Sequence, residues 1–302
     1  MFDRKSLENS IANAGILFNI GSLAFYVWGL KSNGFSILGD GVIQYGVWFD
    51  RNYPRLIGLL EDPNYFVFYN TIFFTFYLCK RNSWKNKSGL LLCIVTSVLT
   101  FSRGGLLILL VIFLVYFLLN HPAQKGRLLL SAFSLFTIVL GISKVLGFKV
   151  ISILQNRFQD FSKDGGSGRF ELWERAWAFF ESSPLFGIGA SNFTNYNVFK
   201  YGDNLVVHNT FLEVLTESGV IGLFVYGMFV FAVLFQIIQN KFHLKYPFLF
   251  LTFIGFMLQM MFLSLIVNDM FLFFLAILST YFSYEYENAN YKERECNMKE
   301  AG

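Results

Sequence analysis

Long apolar runs, separated by short polar segments, make up most of the chain. Runs that approach 20 residues are typical of transmembrane helices, because about 20 helical residues cross the hydrocarbon core of a bilayer. About eight such helices are predicted, at residues 11–30, 65–79, 88–102, 104–120, 128–147, 219–239, 247–266 and 269–284. The pattern therefore predicts an all-α, polytopic integral membrane protein, with residues 1–302 forming a single membrane domain.

Basic residues occur in every second connection between the predicted helices. They are Arg4, Lys5, Lys80, Arg81, Lys85, Lys87, Lys125, Arg127, Lys241, Lys245, Lys292, Arg294 and Lys299. Because lysine and arginine in short loops mark the cytoplasmic side of a membrane protein, both termini are predicted to be cytoplasmic. Two long loops, 31–64 and 148–218, are then predicted on the outer face, and we expect the site in and beside them.

The composition agrees with a membrane protein and excludes some partners. Hydrophobic residues make up 55% of the chain and charged residues only 15%, whereas soluble domains carry roughly 25% charged residues. The net charge of +4 is small and the basic residues are scattered between apolar runs, so no nucleic-acid partner is expected. The first apolar run begins near Ile11 without a small-residue cleavage site after it, and we interpret it as a retained span.

The larger outer loop contains an amphipathic segment, SGRFELWERAWAFFESSPLFGIG. It predicts a helix that begins at Arg169 and stops at the Ser-Ser-Pro of residues 182–184. Aromatic residues such as Trp173 and Trp177 are typical of a helix lying in the membrane interface, where it can serve as an anchor only. A guanidinium beside the Gly-rich DGGSG at a helix N-terminus can also bind phosphate. A headgroup contact or a salt bridge is the alternative for Arg169.

Two further outer segments carry charges next to predicted spans. Arg103 lies in TFSRGG, at the turn of a helical hairpin, where it either snorkels to the headgroups or faces a polar cavity. The second reading is favoured, because the positive-inside bias does not explain an outer arginine. In PRLIGLLEDPN, the Asp-Pro-Asn turn predicts that Asn64 caps the next helix. Helix capping would account for the presence of Asp62 and Asn64, but it would not account for Arg55.

The segment HNTFLEVLTESG opens the helix that leads into the predicted span 219–239. Helical spacing places Asn209, Glu213 and Glu217 on one face. The imidazole of His208 could orient or deprotonate a sugar hydroxyl near neutral pH. A structural role is the alternative for a single histidine at the water boundary.

Motifs of several other enzyme classes are missing from the sequence. There is no G-x-x-x-x-G-K-[ST], no D-x-D outside the predicted spans and no G-x-S-x-G. Nucleotide hydrolysis, metal-dependent transfer from a sugar nucleotide and serine hydrolysis are therefore not supported, and neither a metal ion nor a cofactor is predicted. Outward-facing arginines and one histidine instead suit a lipid diphosphate as leaving group and a sugar hydroxyl as acceptor.

Four segments, in this order and spacing, resemble the O-antigen ligase / O-antigen polymerase superfamily. They are RLIGLLEDPN, TFSRGG, SGRFELWERAWAFFESSPLFGIG and HNTFLEVLTESGVIG. The resemblance covers residues 55–284 and implies a GT-C-like membrane glycosyltransferase of the bacterial inner membrane. The implied donor is a polyprenyl-diphosphate-linked glycan, presented in the membrane lipid at the outer face. Flippase and chain-length regulator proteins are the implied protein partners.

The resemblance also implies roles for individual residues. Arg103 and Arg169 match the family's diphosphate-binding arginines, and His208 matches its acceptor-side histidine. These three are the predicted catalytic residues. The predicted substrate-binding residues are Arg55, Asp62, Asn64, Trp173, Trp177, Asn209 and Glu213.

Several functions remain open within this resemblance. The leading interpretation is a polymerase of O-antigen, capsule or exopolysaccharide repeat units. The alternative is a ligase that transfers the finished glycan once, to lipid A-core or another acceptor. The chain has fewer predicted spans than is usual in the family, so a truncated inactive member is a further reading. A non-catalytic carrier of lipid-linked sugars is disfavoured, because the predicted spans contain few polar residues.

Overall fold

The computed structural model describes residues 3–35, 41–50, 53–120 and 168–300, together with positions 125, 126, 137 and 141. Its helices are α1 (Arg4–Ser32), α2 (Pro63–Cys79), α3 (Trp84–Leu99), α4 (Arg103–Leu119), α5 (Arg169–Ser182), α6 (Phe193–Tyr201), α7 (Thr210–Gln239), α8 (Phe242–Lys245), α9 (Pro247–Met260) and α10 (Asp269–Glu300). The predicted helix 128–147 and most of the outer loop before residue 168 lie outside the described residues.

Each of the other predicted spans has a helix in the structure, although several bounds differ. The helix predicted at 247–266 ends at Met260, and the helix predicted at 269–284 continues to Glu300. Within the described ranges, α1 and α7 are long and apolar enough to cross a membrane, whereas α4 and α9 are apolar but shorter. The structure therefore fits a membrane protein, with fewer clear spans than the eight predicted.

A small sheet in the outer loop 31–64 makes the all-α prediction wrong at that place. The strands are β1 (Val42–Gln44), β2 (Val47–Asp50) and β3 (Tyr53–Leu56), in an antiparallel order β1-β2-β3. Val47 and Phe49 are fully buried and alternate with partly exposed residues, as expected for the two-residue period of a strand. The sequence pattern misses these strands because three or four residues are too few to show that period.

Helix α2 lies at the centre of the bundle and packs against α1, α3, α4 and α9. It is apolar on every side, and such a helix is expected to be surrounded by neighbours. Phe68 stacks on Phe256 of α9, with ring centroids 4.2 Å apart, and the hydroxyl oxygens of Thr75 and Thr252 lie 2.6 Å apart. Packing on all sides fixes the position of α2, whose N-terminus enters the candidate site.

The two ends of the bundle carry different sets of polar residues. At one end, Glu8 pairs with both Arg4 and Lys80, which are predicted to be cytoplasmic. At the other end, the Ser102 hydroxyl donates to the side-chain oxygen of Asn64 at 2.7 Å. Residues predicted to lie on opposite sides of the membrane therefore lie at opposite ends of the bundle.

Helix α7 is broken at Gly219, where φ is 67° and ψ is −168°, a conformation that is essentially restricted to glycine. The turn 184–189 packs its backbone against the break. The N–H of Gly189 donates to the carbonyl of Glu217 at 2.9 Å, and the N–H of Val220 donates to a carbonyl at the start of the turn, also at 2.9 Å. The turn thereby satisfies backbone groups that the break removes from the helix, as irregular backbone within a membrane requires.

We expect Gly219→Ala to destabilise the protein, because the added Cβ would overlap the carbonyl of Leu185. The strained backbone alone costs about 1–3 kcal/mol. Gly227→Ala is the control, because Gly227 lies in the same helix with open space around the added carbon, where alanine is favoured over glycine. Thermal unfolding in detergent compares the two variants, and equal unfolding midpoints would contradict the described packing.

Candidate functional site

Four helices, α2, α4, α5 and α7, begin near one another at the same end of the bundle. Asp62, Ser102 and Asn209 cap three of them with side-chain oxygens. Helix α5 begins after Gly168, whose φ of 76° lies in the left-handed region. Helix N-termini present free N–H groups and a partial positive charge. This end of the bundle is therefore suited to an anion.

The start of α2 differs from the prediction that Asn64 caps this helix. Asp62 is the cap, and it accepts from the N–H of Asn64 at 2.6 Å, because the proline that follows it fits the first helical position. The oxygen of Asn64 instead accepts from the hydroxyl of Ser102, the residue before Arg103. The starts of α2 and α4 are tied together by this hydrogen bond.

Arg169 is the first residue of α5 and lies close to charges from two other helix starts. Burial lowers the pKa of its guanidinium, the neighbouring Asp62 carboxylate opposes this shift, and the Arg103 charge adds to it. The Arg169 guanidinium therefore lies in the field of both the Asp62 carboxylate and the Arg103 guanidinium. A bound anion would relieve the repulsion between the two guanidinium groups, and both can donate paired hydrogen bonds to phosphate oxygens.

A narrow crevice of about 10 Å³ lies beside Arg169. Its lining includes Asn64, Ser102, Gly104 and Gln259. Gln259 is 2% exposed, and its Oε1 has no hydrogen-bond partner among the described residues. Gly104 has no neighbour within 4 Å of where a Cβ would stand. The crevice thus combines one guanidinium with polar groups and free space at the start of α4.

His208, at the start of α7, lies in the same electrostatic environment as Asp62 and Arg169. Burial lowers the pKa of its imidazole, Arg169 lowers it further, and Asp62 opposes the shift. Its Nδ1 is buried without a hydrogen-bond partner in the part of the chain that the structure describes. The imidazole is therefore neutral at pH 7 and can accept a proton.

The backbone around His208 is held from several sides. His208 itself has a φ of 54°, which is uncommon for a residue with a side chain. Its N–H donates to the Ser264 hydroxyl at 3.0 Å, and the indole N–H of Trp173 donates to the carbonyl of Val207 at 3.1 Å. Asn209 caps α7 from the next position. These contacts hold the strained backbone of residues 207–209, here called the His208 corner. Strained backbone of this kind is often found at functional sites.

Comparison with known protein families finds a match that includes Arg103, Arg169 and His208. Residues 88–227 match the sequence model of a family described as O-antigen ligase. This match supports the O-antigen ligase / O-antigen polymerase superfamily. Members of this superfamily are glycosyltransferase-like enzymes that act on lipid-linked glycans in the membrane. No curated protein matches the chain.

The superfamily match contains most of the predicted site. It includes Arg103, Arg169, Trp173, Trp177, His208, Asn209 and Glu213, whereas Arg55, Asp62 and Asn64 precede it. The structure nevertheless brings Asp62 into the electrostatic field of Arg169 and His208. The N-terminal outer motif therefore meets the matched segments in space.

Arg55 lies away from this meeting point, within the small sheet. It is 7% exposed, and its guanidinium donates to the Thr100 carbonyl at 3.0 Å and pairs with Asp50 at 2.9 Å. It also lies over the ring of Trp48. These contacts join the sheet to the turn before α4, so Arg55 supports the position of Arg103 from outside the crevice.

The predicted amphipathic helix is confirmed as α5, which covers Arg169–Ser182. Its buried face consists of Leu172, Ala176 and Phe179 and packs mainly on α7. Trp177 is 51% exposed and donates to Glu181, so it lies apart from the His208 corner. Of the two predicted tryptophans, only Trp173 contacts the segment that carries His208.

Ser264 is a central residue of the site that the sequence reasoning misses. Its hydroxyl accepts from the His208 N–H at 3.0 Å and lies near the Glu213 carboxyl group. Its carbonyl accepts from the hydroxyl of Tyr65 at 3.2 Å. The prediction of a helix over 247–266 hid this residue inside an apolar span. A polar residue near the end of that run, just before Asn268 and Asp269, is the signal that could have identified it.

Proposed function

We propose that the chain is a repeat-unit polymerase, which moves a glycan from a polyprenyl-diphosphate donor to a sugar hydroxyl of the next repeat unit. The observation that carries this proposal is the meeting of Asp62, Arg103, Arg169 and His208, which come from four separate segments. Two cationic groups and one neutral imidazole match a diphosphate leaving group and a hydroxyl nucleophile.

On the donor side, Arg103 and Arg169 bind the diphosphate. As the bond between the anomeric carbon and the phosphate oxygen breaks, the electron pair goes to the diphosphate, and the two guanidinium groups stabilise its growing charge. The leaving group needs no further activation, so the proposed reaction uses neither a metal ion nor a cofactor. The Asp62 carboxylate stabilises the Arg169 guanidinium between turnovers.

On the acceptor side, His208 orients the sugar hydroxyl and takes its proton as the new bond to the anomeric carbon forms. Attack from the side opposite to the diphosphate inverts the anomeric centre. The unpartnered Nδ1 of His208 and the lowered pKa of its imidazole support this role. Trp173 holds the preceding carbonyl and so positions the histidine, while Trp177 would contact the prenyl chain or the membrane lipid.

The proposed enzyme works at the outer face of the bacterial inner membrane. With the predicted eight spans and cytoplasmic termini, the Arg169 end of the bundle would lie on that face, with α5 along the lipid headgroups. Flippase proteins would deliver the lipid-linked repeat unit, and chain-length regulator proteins would limit the polymer. The separation of Glu8, Arg4 and Lys80 from the site end supports this orientation.

A single transfer by a ligase is the second candidate, and the description of the matching family as O-antigen ligase favours it. Polymerase and ligase use the same donor chemistry, so the four residues above serve either reaction. They differ in the acceptor, which is another repeat unit for a polymerase and lipid A-core or a different final acceptor for a ligase.

The test is reconstitution of the whole chain in liposomes with a panel of synthetic polyprenyl-diphosphate oligosaccharides, followed by sizing of the products on a gel. A ladder of lengths with release of polyprenyl diphosphate is the expected result. One transfer, seen only when lipid A-core is added, would replace the polymerase by the ligase. Folded protein that releases no diphosphate under either condition would overturn both.

A further inference from the structure

A second cavity lies beside the His208 corner and is separate from the Arg169 crevice. Its volume is about 810 Å³, within the range of small-molecule sites. It is bounded by the first half of α7, the segment 190–194 and the loop between α9 and α10. Ser264 lines it and also binds the His208 N–H. The cavity therefore adjoins the acceptor side of the proposed reaction.

The charges of this cavity differ from those of the Arg169 crevice. Glu213 and Glu217 contribute two carboxylates, and no lysine, arginine or histidine occurs among the described residues of its lining. Two carboxylates repel a diphosphate. The lining therefore disfavours an anion, in contrast to the crevice near Arg169.

The two carboxylates have different surroundings. Glu217 is buried and accepts from the N–H of Ser191 at 2.7 Å and the N–H of Phe193 at 3.1 Å, so it caps α6 from outside the helix. Glu213 is only partly buried, and its carboxyl group lies near the Ser264 hydroxyl. A carboxylate has about four acceptor positions, so Glu213 can accept hydrogen bonds from a ligand as well.

The lining of this cavity contains both polar and apolar residues. Thr194 and Ser191 are polar, like Glu213, whereas Tyr226 and Phe229 are aromatic. Sugars have the same division, because their hydroxyls need hydrogen-bond partners and their C–H faces pack on aromatic rings. A cavity lined by both a carboxyl group and aromatic residues therefore matches a sugar ring.

We propose that this cavity binds the terminal neutral sugar of the acceptor glycan, with Glu213 accepting hydrogen bonds from its hydroxyls. The assignment rests on the proposed glycosyl transfer. It divides the site into a cationic half for the donor diphosphate and an acidic half for the acceptor sugar. Ser264 lies between the two halves, because its hydroxyl accepts from the His208 N–H and it lines the cavity together with Glu213.

The test measures binding by saturation-transfer NMR on the whole chain in nanodiscs, with the methyl glycosides of glucose, galactose and N-acetylglucosamine as probes. We expect Glu213→Gln to weaken binding of at least one glycoside about tenfold or more, because one of the two acceptor oxygens is replaced by an NH₂ group. Thr194→Val, which removes a hydroxyl at nearly constant volume, is expected to weaken it less. Glu174→Gln is the control, since Glu174 is exposed on α5.

Inorganic diphosphate is the second probe and separates this inference from the proposed function. Glu213→Gln is expected to leave diphosphate binding unchanged, whereas Arg169→Gln is expected to weaken it. No glycoside binding, or equal glycoside binding in Glu213→Gln and the unmodified protein, overturns the acceptor site. Diphosphate binding that Arg169→Gln leaves intact counts against the proposed function and not against the sugar cavity.

Discussion

We expect Arg169→Gln to lower the rate of glycan transfer by about 10²–10³-fold, the usual cost of removing one donor that stabilises developing charge. Gln keeps a polar side chain of similar length but has no charge. Arg169→Lys keeps the charge without the paired donors. Its transfer rate should therefore fall between the rate of Arg169→Gln and that of the unmodified protein. The measurement is release of polyprenyl diphosphate in liposomes, with protein amount and unfolding temperature checked for each variant.

Lys200→Gln is the control for this loss, because Lys200 is an exposed cation on α6 in the same outer loop. It is expected to keep the rate of the unmodified protein. If Arg169→Gln and Lys200→Gln had the same rate, the donor-side role of Arg169 would be wrong. The Arg103 and Asp62 charges near Arg169 would then be structural only.

Removal of the proposed base is the second large effect. His208→Gln is expected to lower the transfer rate by about 10²–10⁴-fold, the contribution of general acid–base catalysis. Diphosphate binding should stay close to that of the unmodified protein, since the arginines remain. Measuring the transfer rate of His208→Gln at saturating donor separates an effect on donor binding from an effect on acceptor activation. A loss that appeared only in donor affinity would contradict the acceptor-side role.

The pH profile gives an independent check on His208. The neutral imidazole is the active form, so the rate falls as pH drops through the pKa, which burial and Arg169 hold below the ordinary value of about 6.5. Asp62 opposes that shift. Asp62→Asn keeps the helix cap but removes the negative charge, so the acid limb is expected to move to lower pH. A limb that moved to higher pH would show that another group titrates.

The motifs themselves could be recognised from the sequence because each is local. Pro184 and the serines before it stop α5 where predicted, and Asn209 opens α7. Prediction failed where a signal was short or ambiguous. The strands near Val47 are too brief to show a period, and Ser264 lies in an apolar run that resembles a continuing helix.

Some predicted site residues make contacts in the structure that differ from those expected from the sequence. Arg55 belongs to the same sequence motif as Asp62, but its guanidinium is occupied by Asp50 and the Thr100 carbonyl. Asn64 was predicted as a cap and instead joins two helices through Ser102. Side chains that lie close together in the sequence thus point to different parts of the molecule, which depends on the packing around them.

The sequence by itself determined the apolar helices, the superfamily and the identity of the charged residues in the outer motifs. These are properties of composition, period and order, and each is set within a short stretch of chain. Only the tertiary structure decided that Asp62, Arg103, Arg169 and His208 meet, and that Glu213 lines a separate cavity. The physical reason is that their proximity depends on how α2, α4, α5 and α7 pack, and that packing joins side chains from distant parts of the chain.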